Sequence, residues 1–539
     1  MFDLHVDSVV GSDAASGAVG APLQTLAAAE TAALALGGAV RIGLAAGSEW
    51  RESLELASLA GVTIAAYGDI AAEGLPMIRG DDPITGGWET SADRSDAHAS
   101  VYSVEWTHDI ATGQAVGGPS VWEDGALLTW RDTVADVEAN PGSFTHDGAD
   151  SADSPVTLYV HPAGSTDPRA DGKTYEATRR NRVVTVGDGA TVRQLWCRRV
   201  GHDDGAINGG TGCLVDRCLL DGNIVHDALL ASGEYRGTIA WRDFSDPRND
   251  AIALEFYAAD GTGLSGLWRG CVVKAPVLAS GVQDVTALGG HTNGTDFYDL
   301  WEMVDCAIEG GKIGGNDVVE AVATRLSLVD AAYALKVEGT GKAQTLTDLQ
   351  LIHEAAAAGR FVEVNGAVAI DGMRAHVSGA WTNQIVYQND ANPLVVTGSV
   401  FVDAGGTAFR RCLYHTGGDT SVTGCVFENA SGVSQFRAVE AEGGFLAADD
   451  NVYHPATWQH CAIEVGGVLY GDAATWFAAA RPAQEANSVQ ADPEIADPEN
   501  GDFSLEAAGL PATCGLARPA ILYTTVPASL AAAELRLRA

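Results

Sequence analysis

Basic residues are scarce in this 539-residue chain: 32 Lys and Arg stand against 71 Asp and Glu, a formal net charge of −39. Such a surface repels phosphate backbones, so nucleic acid is excluded as a partner. An anionic polysaccharide would be opposed as well, unless a local basic patch or a bound cation intervened; solubility in salty surroundings is the plainer reading of the charge. No apolar run reaches about 18 residues, so membrane insertion is not expected. The opening "MFDLHVDSVV" has neither the basic nor the apolar region of a secretory signal, and we expect folding in a cytoplasm. Nine cysteines, an odd number, include no C-x-x-C pair, which removes the usual zinc and redox frameworks. A P-loop, a dinucleotide fingerprint and a nucleophile elbow are also missing.

What remains is globular, with 46% hydrophobic and 19% charged residues. The 64 glycines follow no collagen period and point to a fold with many turns. "TGSVFVDAGGTAF" and "TGCVFENASGVSQF" place Ser399 and Cys425 in one slot, 425 − 399 = 26 residues apart. The same interval leads forward to Asn451 and back to Met373. Upstream, Cys306, Cys271, Trp241, Cys218 and Cys197 are expected in that slot, each flanked by short β-rich runs and then Gly, Asn or Asp. Short strands punctuated by turn residues at such a period mark a β-solenoid. We therefore expect an all-β, right-handed parallel β-helix in which successive coils stack roughly 4.8 Å apart. Its small slot residues should be buried, and the cysteines should pack as unpaired small hydrophobes.

Both ends carry a resemblance. "VVGSDAASGAVGAPLQTLAAAETAALALGGAVRIGLAAG" resembles the opening of the pectate-lyase-like β-helix superfamily, where a Gly-Ser-Asp turn leads to a capping helix and then a strand. Thr25 would start that helix, and "LAAAETAALAL" is a strong helix former. "NSVQADPEIADPENGDFSLEAAGLPATCGLA" is similar to the closing stretch of the same superfamily. The resemblance implies the fold and not an activity, because the scaffold carries lyases, glycosidases, phage tailspikes and inert adhesins. It divides the chain into a cap with first coils (1–80), a β-rich insertion (81–175), the main helix (176–470) and a closing segment (471–539). The insertion breaks the repeat with alternating strands. Its Trp88, Tyr102, Trp106, Trp122, Trp130 and Tyr159 read as core, with sugar stacking as the alternative.

Candidate chemistry gathers in "GHDDGAINGG" and its neighbours. Asp204, Asp227 and Asp250 are equally spaced, since 227 − 204 = 23 and 250 − 227 = 23, and they should stack on one flank just before a strand. Turn aspartates do this for structural reasons alone. Read as catalytic groups, with His202, they invite comparison with polygalacturonase-like hydrolases, which keep carboxylates in "NTD", "DD" and "GHG" motifs. This chain has "HDD" and "RND" but no "GHG" and no "RIK", so the similarity is partial. Carboxylates one coil apart would suit a retaining pair, and two coils apart the upper limit of an inverting pair. Arg179, Arg180, Arg182, Arg193, Arg198 and Arg199 concentrate positive charge near His202, which a lyase would need for a uronate carboxylate. Solvated turns are the alternative. Substrate contacts are expected from Arg198 and from the longest coils, whose loops supply Arg248, Tyr257, His291, Asn293, Asp296, Tyr298 and Trp301.

The function expected first is a phage tailspike or tail-fibre-like virion protein that binds a host surface polysaccharide, with its cleavage by the same chain left open. A free polysaccharide lyase or glycoside hydrolase, located outside the cell, and a non-catalytic adhesin are the alternatives. Expected partners are the host glycan, other tail proteins and copies of the chain itself, with a trimer as the form considered. No cofactor is expected, except Ca2+ on the lyase reading.

Overall fold

The computed structural model describes residues 2–110, 118–147, 155–201, 205–223, 226–242, 252–258, 262–275, 286–292, 298–310, 312–315, 318–329, 333–337, 343–353, 361–378, 384–404 and 410–430. Beyond these it describes 436–443, 445–455, 462–465, 467–471, 473–480, 485–500, 502–505, 507, 510, 527 and 529–538. The chain forms two compact units, Met1–Glu255 with Pro527–Ala539, and Phe256–Val526.

The first unit begins with the strand Leu4–Val6, which pairs in parallel with Arg41–Ala45, and continues into a helix whose start is over-determined. Thr25 takes an extended backbone, and its hydroxyl accepts the amide of Ala28 at 3.1 Å. Asp13 in turn accepts the Thr25 amide and hydroxyl, both at 2.9 Å, so the cap is itself held in place. The helix Leu26–Leu36 buries Leu26, Ala29 and Ala33, one face at three-to-four spacing, and stops at Gly37. The expected capping helix is present.

Three parallel ladders follow. One runs Arg41–Ala45, Thr63–Tyr67, Thr191–Arg193, Cys213–Asp216, Gly233–Arg236. A second runs Glu49–Trp50, Met77–Arg79, Trp196–Arg198, Leu219–Asp221, Ile239–Trp241. The third joins Leu54–Leu56, Val184–Val186, Ile207–Gly209 and Ala228–Leu230. Between Arg79 and Val184 the chain instead builds two four-stranded sheets, mostly antiparallel. Trp88, Trp106, Phe144, Leu158 and Tyr175 are among the residues of their core, and Tyr102 and Trp130 pack against it. Trp122 is buried beneath Arg199, whose guanidinium lies 4.8 Å from the ring centre. These aromatics hold the sheets together rather than offering a sugar platform.

In the second unit, strands again pair in parallel with the strand one rung later. Arg374–Val377, Val400–Asp403, Val426–Asn429, Val452–Pro455 and Val489–Gln490 make one such ladder. Phe401, Phe427 and Tyr453 stack within it, ring centres 5.4 Å apart and planes nearly parallel. Val426 and Glu428 alternate with Phe427 and so belong to the opposite face. There Val400, Val402, Val426 and Val452 are covered by Phe503, Ile495 and Leu505 of the closing segment.

A left-handed residue separates adjoining strands on rung after rung, or bends a single longer strand, as Arg325 does in Val318–Val329 and Asp348 in Ala343–His353. Gln194, Arg217, Gly237, Gly270, Asp305, Arg325, Asp348, Gly372, Gly398, Gly424 and Asp450 all have φ between 50° and 72°. The residue after each is the true slot. Register places Cys218 with Leu195 and Thr238 in the first unit. In the second it aligns Cys271 with Cys306, and Met373, Ser399, Cys425 and Asn451 with one another. Cys197 and Trp241 therefore do not belong to the column, although both are buried. They sit two and three residues past the slot. Its cysteines are buried and join no disulfide among the described residues, as expected.

Candidate functional site

Asp227 is fully buried and already committed. Its carboxylate accepts Nε of Arg242 at 2.9 Å and Nδ2 of Asn223 at 2.8 Å. Asn223 Oδ1 accepts the Val200 amide at 3.0 Å, which fixes which way the side-chain amide faces. Beside it, His226 Nδ1 lies 3.1 Å from Oε2 of Glu255, another carboxylate with no exposed surface. Tyr235 donates its hydroxyl to the Glu255 carbonyl at 2.6 Å. Burial pushes the Asp227 carboxyl up, against the pull of Arg242, Asn223 and His226. A carboxylate so enclosed cannot touch a glycan, which corrects the expectation that Asp227 is catalytic.

The equal spacing of the aspartates also misled. Register steps by 21 residues here, Ile207 opposite Ala228, and the Ala206 amide bonds the Asp227 carbonyl. Asp227 therefore follows Ala206 and not Asp204. His202, Asp204, Arg248, Asp250, Asn293 and Asp296 lie outside the described residues. Tyr257 stands half-buried in the strand Ile252–Ala258, and His291 belongs to the strand Thr286–Thr292. Tyr298 and Trp301 are fully buried: Trp301 meets Trp268 edge-on at 5.8 Å, and Tyr298 packs beside Trp301 and Phe256, ring centres 6.3 and 6.5 Å away. Both are core residues, and the stacking surface expected of them does not exist.

The arginines form ion pairs. Arg179 and Arg180 bond Asp82 at 3.0 and 2.8 Å, and Arg193 lies 3.1 Å from Asp216. Arg198 bonds Asp221 at 2.9 Å while its guanidinium stacks 4.9 Å over Trp196. Arg199, almost entirely buried, bonds Asp81 at 2.8 Å and also reaches Glu176. Glu176 receives Arg51 at 2.6 Å and Arg79 at 2.8 Å. Burial alone would raise its pKa, but Arg51, Arg79 and Arg199 hold the carboxyl down at about 2. The expected anion-binding patch, Arg198 included, is a network balanced by carboxylates.

A second group lies on the covered face of the second unit. Glu428 Oε2 and His454 Nδ1 are 2.6 Å apart on adjacent rungs, and Asp492 Oδ1 lies 3.9 Å from the same nitrogen. Burial raises the Glu428 carboxyl to about 7, against the pull of His454. Sequence reasoning passed over it, yet the signal was present. The interval that aligns Cys425 with Asn451 aligns Glu428 with His454, three residues further in each.

No family model matches the chain, and no curated protein matches it. Among solved structures it is similar to one described as the complex structure of XylC with xylose, at 12% identity and a TM-score of 0.48, covering 92% of this chain and 87% of that one. A structure described as a glycoside hydrolase is similar at 10% identity and a TM-score of 0.39, covering 94% of this chain and 99% of that one.

Proposed function

We propose that the chain is a right-handed parallel β-helix that binds a host surface polysaccharide as a phage tailspike or tail-fibre-like protein and cleaves it by hydrolysis. The observation that carries this reading is the buried group Asn223, His226, Asp227, Arg242 and Glu255. A scaffold of stacked apolar strands needs none of these charges, and sinking them costs stability unless each is paired. Buried polar networks of this kind hold neighbouring groups in one geometry, and they cluster where chemistry is done. The group lies in the rungs that lead directly into 202–204 and 243–251, where His202, Asp204 and Asp250 stand. Asp227 and Arg242 are positioning residues, and Asp204 and Asp250 carry the proton transfers of hydrolysis. Hydrolysis is favoured over elimination because the arginines a lyase would use already hold carboxylates. The protein folds in the cytoplasm, assembles with copies of itself and joins other tail proteins in the virion.

The test uses the full chain with polysaccharide from candidate host surfaces, reading reducing ends and melting temperature together. Asp204→Asn and Asp250→Asn should abolish cleavage with the melting temperature unchanged, whereas Asp227→Asn should lower both. Replacing 293–297 with a Gly-Ser spacer, which spares the strand ending at Thr292, should weaken adsorption to host cells. Full cleavage by both Asn variants would reject the assignment. Binding without any cleavage by the parent chain would leave an adhesin.

A further inference from the structure

We propose that Glu428, His454 and Asp492 form a binding site for one divalent cation of the zinc class, which fastens the closing segment onto the second unit's parallel ladder.

Three observations lead there. The ligand atoms Glu428 Oε2, His454 Nδ1 and Asp492 Oδ1 all lie within 4.8 Å of one another. They come from two adjacent rungs and from the segment that covers them, so one ion would join all three. Second, the position departs from its own pattern. On the same face Val402 stands opposite Glu428 one rung earlier, and Val400, Val426 and Val452 complete an apolar patch under Phe503, Ile495 and Leu505. A valine at 428 would serve that interface, yet the chain puts there a glutamate that is 9% exposed. Third, the group is rich in carboxyls for its one imidazole. Two carboxylates converge on a single imidazole, and the described ion pairs of the group bring no Lys or Arg to them. A cation placed between two carboxylates offsets their mutual repulsion.

The donor set selects the ion. Imidazole nitrogen suits zinc and its transition-metal neighbours, while Ca2+ and Mg2+ take oxygen ligands. Zinc binds carboxylate oxygen and imidazole nitrogen at about 2.0–2.2 Å, so ligands on a tetrahedron lie roughly 3.4 Å apart. The two separations to His454 Nδ1, 2.6 and 3.9 Å, lie on either side of that spacing, and all three ligand atoms fall within 4.8 Å of one another. Binding would replace the hydrogen bond between Glu428 and His454, move those two ligand atoms apart by roughly 0.8 Å and draw Asp492 inward. Three protein ligands leave a fourth position for water.

The experiment takes the full chain, stripped with EDTA and exchanged into chelator-free buffer, and titrates zinc sulfate by calorimetry alongside thermal unfolding and limited proteolysis. One zinc per chain should bind, raise the melting temperature and slow cleavage within 485–510; calcium and magnesium should do neither. Losing a ligand should weaken affinity by more than the roughly 10–100-fold that loss of a supporting partner costs. His454→Gln tests this while keeping a hydrogen-bonding group near Glu428. Asp492→Asn tests it at an exposed position, where folding is not at stake. No zinc uptake, or uptake unchanged in both variants, overturns the proposal. So does equal stabilisation by calcium. A closing segment held through the Glu428–His454 hydrogen bond alone would show the same stability with and without zinc, which also overturns it.

Discussion

At the scale of single residues, the slot column shows why cysteine, serine, threonine and asparagine share one position. Each is small enough to stack, and the oxygen-bearing ones accept the backbone amide of the rung before. Met373 donates to Ser399 Oγ at 3.0 Å, Cys425 to Asn451 Oδ1 at 2.9 Å, and Asn451 to Ser488 Oγ at 2.8 Å. The thiols instead donate to carbonyls: Cys306 Sγ meets the Trp268 and Val304 oxygens at 3.4 Å. Burial raises the Cys218 thiol to about 12 and Cys197 well above its usual range, so neither is a thiolate near neutrality. Thiol titration of the native protein should therefore leave Cys197, Cys213, Cys218, Cys271, Cys306, Cys412 and Cys425 unlabelled, and guanidinium should release them. Rapid native labelling of any one would contradict the buried column. Cys425→Ser should be mild. Cys425→Asp should cost several kcal/mol, roughly 3–5, since it buries a charge with no partner, and chemical denaturation would measure the difference.

At the scale of the element, the bend between adjoining strands sets the register. It needs one residue at positive φ, and the chain supplies glycine, aspartate, arginine or glutamine there. Gly424 has φ +65°, where a β-branched side chain is strained by about 1–2 kcal/mol and Asn far less. Gly424→Val should accordingly lower the denaturation midpoint clearly more than Gly424→Asn; equal effects would mean that the bend does not discriminate. The same element explains how much of the fold was legible. Strand runs, the capping helix and the 26-residue interval could be read directly because local propensity and period both pointed one way. Cys197 and Trp241 were misassigned because residue type was taken as the marker, while bond geometry marks the rung by the left-handed residue ahead of it. Rungs also vary in length, since 238 − 218 = 20 but 306 − 271 = 35. Excess residues between strands leave the pairing intact, so counting along the chain drifts where hydrogen bonding does not. Site residues were less legible still. Tyr298 and Trp301 look alike in sequence whether they face sugar or core, and the arginines reveal their carboxylates only when distant segments meet.

At the scale of the molecule, the excess of acid over base conceals a balanced interior in the first unit. Arg51, Arg79 and Arg199 surround Glu176 and Asp81, the Arg51–Glu176 pair alone joining residues 125 apart in sequence. Because Glu176 has its folded pKa lowered, it contributes stability that is fully present above its unfolded value near 4.5 and lost as pH falls toward about 2. The contribution is on the order of 3 kcal/mol. Acid unfolding of the parent chain should therefore steepen between those limits, and Glu176→Gln should flatten the profile there while lowering stability at pH 7. An unchanged profile would show that Glu176 is as strongly paired after unfolding. The two units also differ in when each can be finished. The helix Leu530–Arg538 follows the whole second unit in sequence, yet it belongs to the first unit, where it lies against Ile70–Glu73 and Leu219–Asp221 and buries Ala533 and Leu537. Translation delivers residues 256–526 before that helix emerges, so the unit begun first is completed last. A ribosome that stalls late would release a chain whose second unit is whole and whose first still waits for its final piece.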